Sequence, residues 1–300
     1  MGNDRYLQAL IFAQIPKIGP ILSRKLLELS GSLERLFDLS LSELKALEGF
    51  SEKTWEHIFK FIHQSHAKDR AKSEIDFLIK HKIRPIFIED LDYPIRLKQC
   101  EDAPALIFLK GNFPLNANRI MAIVGTRKAS PYGKKLTREF ISQIKDFNIR
   151  IVSGLAYGID IEAHQMALKM GIPNLGVLGH GLDQVYPSTH WEISQAMLHH
   201  GGLLAENFSG TPLSPGLFPK RNRIIAGLSD AVLVVEASEK GGAMITAQLA
   251  NSYNREVFTF PGRVDDPYSR GCLKLVQDRQ AELILGAEDF LLSMGWGNVK

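Results

Sequence analysis

Between Phe218 and Ser229 the chain reads Phe-Pro-Lys-Arg-Asn-Arg-Ile-Ile-Ala-Gly-Leu-Ser, an aromatic ring, an amide and three cations followed by apolar residues. Guanidinium forks hold phosphate oxygens, and a ring offers a face on which a nucleobase stacks. Ile224, Ile225 and Leu228 follow at helical spacing, so Lys220, Arg221 and Arg223 are expected where a helix begins, at about residue 220. A helix opening already carries unpaired N–H groups and the positive end of the dipole, so cations placed there do nothing for the helix itself. They call for an anion above them. A lone basic triplet is more often a solvated face; here Phe218 and Asn222 turn the reading toward nucleic acid.

Such a cluster needs a rigid frame, and from Arg119 onward the sequence supplies one. Apolar runs at 120–124, 149–152, 175–178, 203–205, 232–235 and 257–260 read as strands. Amphipathic stretches between them, including 190–199, 220–228 and 243–254, read as helices, and Ser130-Pro131 supplies an N-cap with proline in the first helical position. Strands apolar on both faces and separated by helices imply an α/β doubly wound, mainly parallel sheet. In such sheets ligands lie beyond the carboxyl ends of the strands. Those ends read Gly125-Thr-Arg-Lys128, Ser153-Gly-Leu-Ala-Tyr-Gly-Ile-Asp160, Lys240-Gly-Gly-Ala-Met244 and Phe260-Pro-Gly262, small residues and cations suited to cradling phosphate. Between Arg119 and Arg150 eight Lys and Arg stand against two acids, in a chain whose net charge is only +3. Nucleic-acid affinity would therefore come from local clustering.

Residues 1–66 carry apolar positions at three-and-four spacing and read as an all-helical domain, with 67–300 as a second, Rossmann-like domain that includes short strands near Ile86 and Leu106. The turns Ile15-Pro-Lys-Ile-Gly-Pro20 and Leu47-Glu-Gly-Phe50 fit helix-hairpin-helix units or plain turns of a helical bundle. The 45% hydrophobic and 23% charged content is that of an ordinary globular protein. Two isolated cysteines, Cys100 and Cys272, argue against a disulfide framework or a zinc site. With no signal-peptide pattern and no apolar run of about 18 residues, a cytoplasmic protein is expected.

Several catalytic signatures fail. Seven residues separate Gly125 from Gly133, too many for a P-loop, and no Ser or Thr follows Lys134. There is no Gly-x-Gly-x-x-Gly after the first strand, so no nicotinamide or flavin is implied, and no nucleophile elbow or His-Glu-x-x-His. Asp160 is expected to cap a helix, and Glu206 and Glu236 to pair with arginines, so no matched acid and base emerge.

Taken together, Gly125-Thr-Arg127 with Pro131-Tyr-Gly133, Ser153 to Asp160, Gly181-Leu-Asp-Gln-Val-Tyr-Pro187, Phe218 to Ser229, Ile245-Thr-Ala247 and Phe260-Pro-Gly262 resemble, in order and spacing, the DprA/Smf DNA-processing proteins. The resemblance implies an extended Rossmann-like domain without cofactor, behind a SAM-like or helix-hairpin-helix front domain. It implies a non-enzymatic protein of homologous recombination and competence that binds and protects single-stranded DNA, loads the recombinase RecA onto it in natural transformation, and works as a homodimer joined through the Rossmann-like domain. Carried onto this sequence, Arg127 and either Arg221 or Arg223 grip phosphates, with Lys128 and Lys220 adding charge. Gly125, Thr126, Ser153 and Gly154 offer donors, Phe218 stacks on a base, and Asn222 holds the loop.

The sequence departs from the family pattern at Gly241-Gly-Ala243, where a serine-bearing loop is usual, and at His190, where Asn is frequent. No winged-helix domain is expected after residue 292. The competing reading is a nucleotide-binding or nucleoside-monophosphate-cleaving enzyme of a related Rossmann-like family, of whose Pro-Gly-Gly-x-Gly-Thr signature Gly241-Gly242 is the nearest echo.

Overall fold

The computed structural model describes residues 3–297, so Met1 and Lys300, the outer bounds of the two expected domains, lie outside it. The chain divides into two compact units, Met1–Tyr93 with Glu101–Phe108, and Pro94–Cys100 with Leu109–Lys300.

The first unit is built from helices α1 (Asn3–Phe12), α2 (Pro20–Ser30), α3 (Leu33–Asp38), α4 (Leu41–Ala46), α5 (Glu52–Ile62) and α6 (Ser65–His81). Strand β1 (Ile83–Phe87) follows, beside the opening of β2 (Leu106–Gly111). Helix starts follow local chemistry: Ser32, Ser40 and Ser51 each accept a backbone N–H three residues on. Leu10, Leu26, Leu36, Trp55, Ile58 and Ile62 fill the interior. The helix after the first expected turn meets the second turn, since Lys25 of α2 donates from Nζ to Gly49 O at 2.8 Å and stands 5.3 Å from the Phe50 ring centre.

The second unit opens with the short α7 (Ile95–Lys98) and continues through β3 (Ile120–Val124), α8 (Pro131–Gln143), β4 (Arg150–Ser153), α9 (Ile159–Met170), β5 (Asn174–Leu178), α10 (Trp191–Met197) and β6 (Gly202–Ala205). Then come α11 (Leu217–Leu228), β7 (Ala231–Val234), α12 (Gly242–Ser252), β8 (Glu256–Thr259), α13 (Arg270–Gln277), β9 (Glu282–Leu283) and α14 (Ala287–Ser293). Its strands run in the order β6-β5-β4-β3-β7-β8-β9, every neighbouring pair parallel. The α/β doubly wound sheet read from the sequence is thus the observed fold. Met121 and Ile123 face one way, into a core shared with Phe140 and Ile141 of α8, Ala163 of α9 and Phe290 of α14. α11 and α12 pack against the sheet as well as against each other.

The chain leaves β3 toward β4 on one side and returns to it with β7 on the other. That reversal opens a crevice at the carboxyl ends of β3 and β7.

Two local expectations change. α11 begins at Leu217, so Lys220, Arg221 and Arg223 stand inside the helix and not at its opening. Pro219 falls in its first turn, where an absent N–H costs nothing. Asp160 does not cap α9: Gly158, at φ +83, holds that position and Asp160 is the second helical residue.

Candidate nucleic-acid interface

At the crevice lies a cleft of about 580 Å³, a size that suits a nucleotide-scale ligand. One wall is the loop after β3, with Gly125, Thr126, Arg127 and Lys128. Opposite it stand Phe218, Pro219, Arg221 and Asn222 of α11, with Gly241, Gly242 and Ala243 at the opening of α12. The Gly242 and Ala243 N–H groups that open α12 have no helical acceptor and suit an anion.

The loop that carries Arg127 is tightly held. Thr126 donates its N–H to Glu236 O at 2.7 Å, and Thr126 O accepts the Ile159 N–H at 3.3 Å. The Lys128 N–H donates to Thr126 Oγ1 at 3.1 Å. Glu236, expected to pair with an arginine, instead accepts the Ser130 N–H at 2.9 Å and the Ser130 hydroxyl, while Ser130 caps α8 by accepting the Gly133 N–H at 3.0 Å. Gly158 lies so close to this loop that a Cβ on it would meet Thr126 O at 2.1 Å, and its positive φ also favours glycine.

Arg127 and Lys128 are exposed. The Arg127 guanidinium stands 5.4 Å from the centre of the Phe218 ring, and Tyr186 tilts against the same ring at 5.8 Å. A smaller compartment of about 40 Å³ opens beside them, lined in part by Leu155, Tyr157, Val177 and Tyr186.

Arg221 is 7% exposed and sits at the cleft floor. It donates from Nη1 to Val177 O at 2.8 Å, while its Nε is buried without a partner. Burial lowers its pKa from the usual arginine value, and the nearby Asp160 opposes that shift. Asp160 is pushed up to about 6 by burial, against the attraction of Arg221. Gly154 is what lets these groups gather. A Cβ there would lie 2.0 Å from Arg221 Nη1 and 2.3 Å from Asp160 Oδ2. Beneath it, His164 is hydrogen-bonded to Gly154 O at 2.7 Å and to the Asn174 side-chain amide at 2.8 Å, and burial pulls its pKa down to about 4.

The remaining residues singled out in the sequence are placed as follows. Asn222 lines the cleft and donates from Nδ2 to Gly242 O at 3.2 Å, tying α11 to α12. Lys220 is exposed on α11. Arg223 is 9% exposed and pairs with Glu206 at 2.5 Å, outside the residues that line the cleft. Ser153 is fully buried, and its hydroxyl donates to Ile123 O at 2.6 Å. Of the basic cluster between Arg119 and Arg150, Arg127 and Lys128 reach the cleft. Arg119 instead donates to Phe147 O and Trp296 O, and Arg138 pairs with Glu162. Sequence reasoning did not select Tyr186, Asp160 or Tyr268 for this wall, although Tyr186 and Asp160 lie within motifs it had singled out.

The fold recurs in known proteins. The model of the family described as DNA recombination-mediator protein A matches residues 84–295. Protein Smf of Synechocystis sp. is 34% identical over 302 residues, covering 98% of this chain and 74% of its own, and DNA processing protein DprA of Bacillus subtilis is 39% identical over 73% of each chain. The X-ray structure of DprA from Streptococcus pneumoniae superposes with a TM-score of 0.80 at 30% identity, over 96% of this chain and 97% of that one. DprA from Helicobacter pylori, described for its single-stranded DNA binding mode, gives 0.64 at 28% identity over 71% and 95%. Among the described residues no helix is long and apolar enough to cross a membrane. With the family model spanning most of the sheet and the cleft at its carboxyl edge, the chain belongs to the DprA/Smf family of DNA recombination-mediator proteins.

Proposed function

We propose that the protein binds single-stranded DNA in this cleft, protects it, and loads RecA onto it during natural transformation, acting in the cytoplasm as a homodimer and without catalysing a reaction. The observation that carries the DNA reading is the arrangement of exposed Arg127 over the Phe218 ring with buried Arg221 behind them. Phosphate contacts and a stacking face occur within one nucleotide's reach, in a recess that admits an unstacked base and presents no projecting helix for a major groove. The single-stranded DNA binding of the Helicobacter pylori relative supports the choice of ligand, and the family's description as recombination mediators supports RecA as partner. For the homodimer, support comes from Leu285 and Leu292, 74% and 81% exposed close to the outermost strand β9.

Within this reading Arg127, Lys128, Lys220 and Arg221 supply positive charge, Gly125, Thr126 and Gly154 shape the phosphate seat, and Phe218 stacks. Asn222, Ser153 and Arg223 hold the walls in place. The test is fluorescence anisotropy with a labelled oligothymidine of a few tens of nucleotides, competed by duplex DNA and by a mononucleotide across a salt series. Tight, salt-sensitive binding that both competitors displace poorly is the expected result. Effective displacement by a mononucleotide would overturn it in favour of a small-ligand pocket.

A further inference from the structure

Asp160 lies on the wall of the cleft, 7% exposed, with no part yet in holding DNA. Charged and polar groups face it from every side. Arg221 stands on α11 and Arg127 on the loop after β3, Ser153, Gly154 and Ala156 belong to β4 and the turn that follows, and His164 sits one turn along α9 itself. A buried carboxylate is ordinarily held by two or three donors. Here the Ala156 N–H reaches it at a stretched 3.4 Å, and the Ser153 hydroxyl, which donates to Ile123 O at 2.6 Å, supports its ionised form less than Arg221 and Ala156 do.

Arg221 is under-satisfied in the complementary sense. Its Nη1 is used by Val177 O, and its Nε has no acceptor. No ion pair within 4.0 Å joins the two side chains, although both crowd the same point above Gly154. Each offsets the other's charge through space without taking up the other's hydrogen-bonding capacity. This is a buried guanidinium with donors to spare beside a carboxylate that is poorly held in its ionised form.

We infer that Asp160 is the counter-charge of Arg221 in the DNA-free protein, and that a DNA phosphate arriving at Arg221 takes over this role by driving a proton from solvent onto the Asp160 carboxyl. The inference rests on the single-stranded DNA reading of the cleft. A phosphate beside an ionised carboxylate is repelled, whereas beside a protonated one it gains an O–H donor. The proton comes readily, because burial already raises the Asp160 pKa to about 6 and a second anion raises it further. Each pH unit by which the bound-state value exceeds the free one is a tenfold gain in affinity under acid conditions. Affinity is therefore greatest below the free-protein pKa and falls as pH rises toward the bound-state value, above which it levels off. His164, held neutral by burial, stays outside this exchange.

The test is isothermal titration of the full chain with oligothymidine at about pH 7, at constant ionic strength, in two buffers of different ionisation enthalpy. Thymine and the phosphodiester do not titrate there, so proton uptake reports the protein. Wild type is expected to take up a fraction of a proton and to bind up to about tenfold more tightly at pH 6 than at pH 8. Asp160→Asn is expected to take up none, to bind with little pH dependence, and to bind more tightly than wild type at pH 8. Wild-type binding without uptake, or equal uptake by Asp160→Asn, overturns the inference and leaves the DNA reading standing. Failure of wild type to bind oligothymidine overturns the DNA reading itself, and the inference with it. If Asp160→Asn does not fold, carbon NMR titration of the wild-type aspartates decides. One carboxyl titrating near pH 6 must move upward on saturation with oligothymidine, and the absence of such a carboxyl refutes the coupling.

Discussion

The guanidinium of Arg127 lies 5.4 Å from the centre of the Phe218 ring, so the cation proposed to meet a phosphate and the ring proposed to meet a base are braced against each other across the cleft. Their separate removal has distinguishable effects. Arg127→Ala is expected to weaken oligothymidine binding by about 1–3 kcal/mol and to lower the salt slope by about one. Phe218→Ala costs about 1–3 kcal/mol per stacked base with an unchanged slope. Anisotropy titrations at four or so salt concentrations check both, and a common change of slope in the two variants would contradict the division of labour.

Arg221 and Arg223 are two residues apart on one helix, yet they face different tasks. Arg223 is spent on Glu206, whereas Arg221 borders the cleft. Arg223→Ala is therefore expected to lower folding stability by about 1–3 kcal/mol, because it removes a partly buried ion pair, and to leave oligothymidine affinity within about twofold. Arg221→Ala should weaken binding at least tenfold. Urea unfolding beside anisotropy separates the pair, and a binding loss confined to Arg223→Ala would reverse the assignment.

Gly154→Ala is the smallest change that reaches the cleft floor. The added methyl would stand 2.0 Å from Arg221 Nη1 and 2.3 Å from Asp160 Oδ2, closer than atoms approach. Because Arg221 is buried and tied to Val177 O, relief requires breaking that bond. A stability loss of about 1–3 kcal/mol and at least a tenfold loss of oligothymidine affinity are expected. A variant that binds as wild type does would show that the guanidinium has room to move.

Two buried groups give the stability an unusual pH dependence. Asp160 has its folded pKa raised to about 6, so its contribution is fully present below the unfolded value near 4 and is lost as pH rises through 6. His164 has its folded pKa lowered to about 4, so its contribution is present above about 6.5 and is lost as pH falls through 4. Between pH 4 and 6 the two run in opposite directions and largely cancel. Asp160→Asn removes one of them and should expose a fall of about 1 kcal/mol per pH unit on acidification from pH 6 to 4. Urea midpoints across that range measure it, and a slope equal to wild type would show that Asp160 titrates normally in the folded protein.

The strand ladder was readable because strands buried on both faces are continuous apolar runs, and the six expected from Ile120 onward correspond to β3 through β8. β9 has two residues, both exposed, and carries no such signal. The phase of α11 was harder to read. Pro219 looks like a helix breaker until its place in the first turn is known, and starting the helix about three residues late put Lys220, Arg221 and Arg223 at its mouth. Burial of Arg221 depends on Val177 and Gly154, far away in sequence, so nothing local to the motif could announce it. Tyr186 and Asp160 lay within recognised motifs, but the groups that make them part of the cleft come from other segments.

Glu236 joins the end of β7 to the end of β3 through its carbonyl and to the start of α8 through its carboxylate. The loop bearing Arg127 consequently has little left to order when a strand arrives. On the proposed reading, the ordering on association falls on the flexible nucleic acid, whose sugar-phosphate torsions and stacked bases must adopt the spacing the protein already holds. Lengthening a flexible oligonucleotide beyond the cleft should then leave the heat of binding per site unchanged, while a strand already kinked at the bound nucleotide should associate more tightly with the same contacts.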